Sequence, residues 1–132
     1  MKFKFALAIA ALSVTLIACK KDKDEDPGIA GLWIGKYSSS ATAYPTLGYA
    51  FLFRKDGTVR VFNSSDTAAA SGKAEGTYQV AGNKVTCNYT YVIGSGTYSS
   101  EAIVNSMFTF MEGSWGNGSS TTNGGKYFVY KN

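Results

Sequence analysis

Gly31-Leu32-Trp33-Ile34-Gly35-Lys36-Tyr37 reads as the opening strand of a small β-barrel. A glycine lets the backbone bend, and the aromatic residue two positions on points into the core. The same Gly-x-aromatic spacing returns at Gly76-Thr77-Tyr78, Gly96-Thr97-Tyr98 and Gly113-Ser114-Trp115. A repeat of function would also give this echo, but a repeated architectural device is the plainer source.

Working outward, turn residues divide the chain after Ile29 into about eight short strands. They are expected at Gly31 to Ser38, Leu47 to Arg54, Val59 to Asn63, Glu75 to Ala81, Lys84 to Ile93, Thr97 to Val104, Met107 to Trp115 and Lys126 to Lys131. The fifth alternates best, with Val85, Cys87, Tyr89, Tyr91 and Ile93 facing one way; a period of two marks a half-buried strand. Tyr49, Phe51 and Phe53 share a face of the second. Asp56-Gly57 is the clearest hairpin signal and predicts a type I′ turn. Short strands joined by such turns imply an all-β, antiparallel, up-and-down barrel, which has no exposed edges. An interior of eight strands is filled by side chains or holds one small ligand.

The chain has 132 residues, enough for one domain. It has no histidine, the commonest general base and metal ligand. Lys2 and Lys4 belong to a leader; without them thirteen basic residues become eleven, against nine acidic. That balance is no nucleic-acid footprint. The carboxylates Asp56, Asp66, Glu75, Glu101 and Glu112 are scattered, though Glu101 and Glu112 could approach each other across the sixth and seventh strands. No cofactor, metal or catalytic set is expected, and the chain reads as a non-enzyme.

Residues 1–18 have the parts of a secretory signal peptide: a basic start, then an apolar run from Phe5 to Ile17, too short to span a bilayer. Leu16-Ile17-Ala18-Cys19 resembles the lipobox of bacterial lipoproteins. The resemblance implies that Cys19 is acylated and anchors the protein, two or three chains making the anchor stable. The charged run Lys20 to Asp26 resembles the export signal of Bacteroidota lipoproteins and implies outer-membrane, lipid-anchored display, with cell-surface exposure as a further expectation. Residues 19–28 are then a tether with nothing to bury, and residues 29–132 the barrel domain. Cys87 is left without a disulfide partner and reads as a small buried hydrophobe.

The leader, the tether, Gly31-Leu32-Trp33, Lys55-Asp56-Gly57, Gly76-Thr77-Tyr78 and Gly113-Ser114-Trp115-Gly116 together resemble the lipocalin-like lipoproteins of the Bacteroidota. In lipocalins the Gly-x-Trp tryptophan closes one barrel end under a basic residue from a late strand. Trp33 matches the tryptophan, and Lys126 and Lys131 are candidates for the cation. Asp66-Thr67-Ala68 resembles the O-glycosylation sequon of Bacteroides-type bacteria, with Thr67 as acceptor.

The resulting expectation is an anchored barrel that binds a small hydrophobic or glycan ligand. The loops 38–46, 63–73 and 116–125 would surround its mouths. Trp33, Tyr37, Tyr44, Tyr89, Tyr91 and Trp115 are the candidate ligand-binding residues, each tryptophan being equally readable as core. The alternative is a protein-interaction module or an inhibitor of an envelope or extracellular enzyme.

Overall fold

The computed structural model describes residues 28–132. The expected signal peptide, the acylation expected at Cys19 and the charged tract fall outside the described residues. Eight antiparallel strands form one closed barrel: β1 (Gly31–Tyr37), β2 (Leu47–Phe53), β3 (Thr58–Phe62), β4 (Lys73–Ala81), β5 (Lys84–Tyr91), β6 (Thr97–Val104), β7 (Phe110–Asn117) and β8 (Gly125–Lys131). Each strand pairs with the next, and β8 returns to β1 with Gly35 opposite Val129. The up-and-down barrel expected from the turn spacing is the fold, and the described residues contain no helix.

Alternation builds the core. Phe51, Phe53, Val59, Val61, Val85, Met111 and Val129 all point inward and are essentially inaccessible. Phe51 and Phe53 stack in parallel with centroids 5.5 Å apart, and Tyr127 leans on Phe51 at 5.3 Å. Cys87 lies among them, and burial pushes its thiol up to about 12.

The strand-interior glycines have a shared physical role. A Cβ at Gly35, Gly76 or Gly113 would overlap the backbone oxygen of Phe128, Asn88 or Glu101 on the adjacent strand. Only a missing side chain lets neighbouring strands approach so closely while the sheet curls. The Gly-x-aromatic echo is therefore architectural at these positions, with Tyr37, Tyr78 and Trp115 packed against the core from two residues on.

Trp33 closes one barrel end. Its ring is inaccessible, its Nε1–H donates to Ile29 O at 2.8 Å, and Phe53 meets it edge-on at 6.4 Å. Lys131 Nζ sits 5.9 Å from the ring centroid and donates to Gly28 O at 2.7 Å. Of the two candidate cations it is Lys131 that covers the tryptophan; Lys126 is on the outward face of β8 and exposed.

Several local expectations are corrected. Only Gly57 of the Asp56-Gly57 pair has positive φ (86°), so the turn is not type I′. The loop is longer: Arg54 N–H donates to Thr58 O, and Gly57 N–H to Arg54 O. Asp56 favours this turn through its side chain, whose Oδ1 accepts from the Thr58 amide and hydroxyl. The seventh strand starts at Phe110 and not at Met107, because Asn105 Oδ1 accepts from the amides of Thr109 and Phe110 and holds 105–109 as a turn. The fifth ends at Tyr91, leaving Ile93 83% exposed. The fourth begins earlier, at Lys73, and brings Ala74 into the core.

The loop 63–72, bland in sequence, folds back on the outside of the barrel. Ala70 packs there with Ala50 and Phe62, beside Ile34 and Leu52. Asn63 and Gly72 close its base, with Gly72 N–H donating to Asn63 Oδ1 at 2.9 Å and Asn63 N–H to Gly72 O at 3.2 Å.

Candidate functional site

Strand direction sorts the connections. The turns 54–57, 82–83 and 105–109 lie at the Trp33 end, and the connections 38–46, 63–72, 92–96 and 118–124 lie at the other. All three loops singled out from sequence therefore surround one mouth.

That mouth is hollow. The core fills the barrel from Trp33 up to Tyr49 and Tyr89, whose hydroxyls hydrogen-bond to each other. Above them is a cavity of about 230 Å³ lined by Tyr37, Tyr49, Asn63, Tyr89, Tyr91, Tyr98 and Trp115. The barrel is thus a solid plug with a cup at one end.

The strands set each wall. Tyr89 and Tyr91 follow one another on the inward face of β5, and Tyr98 opposes Tyr89 from β6. Trp115 opposes Ser100 one inward position further along β6. Trp115 is fixed by its Nε1–H, which donates to Ser38 O at 3.0 Å, tying β7 to the first loop. Gly124 passes against the Trp115 ring, where a Cβ would overlap it, and donates its N–H to Trp115 O at 2.9 Å. Tyr37 meets Trp115 at 6.1 Å and 76°, Trp115 meets Tyr98 at 5.8 Å and 65°, and Tyr98 meets Tyr91 at 5.5 Å and 87°. Consecutive walls turn by large angles, as a box requires.

Burial makes the phenols hard to ionise. It pushes Tyr91 up to about 12, and lifts Tyr49 and Tyr89 well above the ordinary phenol range. The lining carries no carboxylate, ammonium or guanidinium. It offers ring surface, phenol hydroxyls and the Asn63 amide, a chemistry suited to holding a ligand.

Four of the six candidate residues meet here: Tyr37, Tyr89, Tyr91 and Trp115. Trp33 does not; it is core at the opposite end. Tyr44 does not either. It is 77% exposed on the outside, packed against Phe128 at 6.4 Å. With Ile103, Phe110 and Tyr130 it borders an exterior groove of about 880 Å³. Tyr49, Tyr98 and Asn63 were not singled out by sequence reasoning. The signal for Tyr49 was its alternation with Phe51 and Phe53, and for Tyr98 the preceding Gly96. Asn63 had only its place at the start of the loop 63–73 expected at a mouth.

The carboxylates lie elsewhere. Glu101 and Glu112 are diagonal neighbours on the outer face of β6 and β7, and Glu101 pairs with Lys84 at 3.4 Å. Glu75 pairs with Arg54 at 3.1 Å and with Arg60, also outside. Thr67 is half-buried in the outer loop, where Asp66 Oδ1 accepts from the amides of Ala68 and Ala69.

No protein-family model matches this chain. No curated protein matches it either.

Proposed function

We propose that this protein is a lipid-anchored barrel of the outer membrane that holds one small hydrophobic or glycan ligand in the cup at its mouth, without catalysing a reaction. The cup carries the reading. A barrel that only touched other proteins would have no need of a hollow lined by rings on its inner face. The neutral, weakly acidic lining supports retention rather than proton transfer.

Trp115 is the reporter, because Trp33 is sealed in the core and Trp115 is only half-buried at the cup. Titrating small aromatic alcohols and methyl glycosides should produce a saturable change in tryptophan emission. The change should vanish in Trp115→Phe. Flat emission with both ligand classes would sink the hydrophobic and glycan readings.

The anchor has its own test. Cys19→Ala should move the protein from the membrane fraction to the soluble fraction, with the barrel still folded. Continued membrane association of that variant would remove acylation at Cys19 from the account.

A further inference from the structure

We propose that the group selected by the cup is a quaternary ammonium. This rests on the reading of the cup as a ligand site, and chooses among the ligands that such a site could take.

The walls are π systems on successive sides. Tyr37, Trp115, Tyr98 and Tyr91 meet in sequence at 76°, 65° and 87°, with centroids 5.5 to 6.1 Å apart. The Tyr49–Tyr89 hydroxyl pair forms the floor. A cation within about 6 Å of ring centroids is drawn to their negative faces, more strongly when water is excluded. No lysine or arginine lines the cup to repel it. The Tyr49, Tyr89 and Tyr91 phenols are held neutral by burial, so the attraction there is to rings and phenol oxygens rather than to a phenolate.

The polar inventory argues against the other candidates. A sugar needs several fixed donors and acceptors. Here Trp115 Nε1–H is committed to Ser38 O, Asn63 Oδ1 accepts from Gly72 N–H and the Tyr49 and Tyr89 hydroxyls bond each other, which leaves the rotatable Tyr37, Tyr91 and Tyr98 hydroxyls and Asn63 Nδ2 rather than a fixed polar array. A primary ammonium would lose tightly held water and find no carboxylate in the lining to replace it. A trimethylammonium group has no N–H to satisfy and a weakly held shell, so the ring surface suffices. Size is compatible: about 230 Å³ exceeds the roughly 150 Å³ cavity that admits benzene.

The test uses the full chain, tryptophan emission and calorimetry with three probes: choline, its neutral isostere 3,3-dimethyl-1-butanol, and ethanolamine. Choline should bind about tenfold more tightly than the isostere, and ethanolamine more weakly than choline. Tyr98→Leu keeps apolar bulk but removes a ring; it should erase the preference for choline, and Tyr98→Phe should restore it. If Tyr98→Leu does not fold, Tyr91→Leu against Tyr91→Phe makes the same comparison. Displacement of choline by phosphatidylcholine vesicles, but not phosphatidylglycerol vesicles, would assign the group to a lipid headgroup. No displacement by either would assign it to a free small molecule. Equal or tighter binding of the neutral isostere overturns the cation assignment and leaves the ligand cup standing. Silence of Trp115 to all three probes overturns the cation assignment, and silence to the aromatic alcohols and methyl glycosides as well overturns the ligand cup.

Discussion

Trp33→Ala is expected to cost about 3–5 kcal/mol of stability, read as a lower urea midpoint. The ring is inaccessible at the closed end of the barrel. Its removal opens a large void beside Phe53, which meets the indole edge-on at 6.4 Å. It also strips Ile29 O of its 2.8 Å donor and leaves Lys131 without the ring beneath its ammonium. A domain of this size holds only about 5–15 kcal/mol in total, so the loss is a large share. Trp33→Phe separates the contributions. It keeps most of the packing and loses the indole hydrogen bond, for a cost of about 1–2 kcal/mol. A Trp33→Ala barrel within about 1 kcal/mol of the wild type would show that the indole is not the plug.

Alkaline unfolding should be the second large effect. Burial raises Cys87 and Tyr91 to about 12, and lifts Tyr49, Tyr89 and Tyr127 well above the ordinary phenol range, against ordinary values of 9.0 for the thiol and 10.0 for the phenol. These are acids whose folded-state pKa lies above the unfolded one. Below pH 9 both states keep the protons and stability is flat with respect to these groups. From about pH 9 to 12 the unfolded chain sheds protons that the folded barrel retains, so it binds fewer and stability falls as pH rises. Each group contributes a slope of up to about 1.4 kcal/mol per pH unit, and Cys87 alone would account for about 4 kcal/mol by pH 12. Tyrosinate absorbance of the buried phenols should therefore rise together with loss of near-ultraviolet circular dichroism. Full ionisation of all nine tyrosines with the barrel signal intact would contradict the burial assigned to this cluster.

The strands were legible because alternation is a local consequence of the extended backbone. In β5, Val85, Cys87, Tyr89 and Tyr91 do face inward, and the reading failed only at Ile93, beyond the last ladder pair. The onset of β7 was missed because Asn105 captures two amides with its side chain, a three-dimensional event that hydropathy does not register. For the site, periodicity tells which face a residue takes but not its depth along the barrel. Trp33 and Trp115 both follow a glycine by two positions on inward faces, yet one plugs the closed end and the other stands at the open one. Tyr44, in a loop, had no periodicity to place it, and the chain lays it on the outer wall against Phe128.

By itself the sequence determined the all-β class, the number of strands and their order, and it marked the strand glycines Gly35, Gly76 and Gly113, which the structure places against neighbouring backbone. Those follow from local backbone chemistry: side-chain alternation, turn residues and the absence of a Cβ. Only the tertiary structure decided that Lys131 rather than Lys126 covers Trp33, and that the interior is solid below the Tyr49–Tyr89 pair and hollow above it. Both depend on closure of β8 against β1, whose register sets the height at which residues far apart in the chain meet.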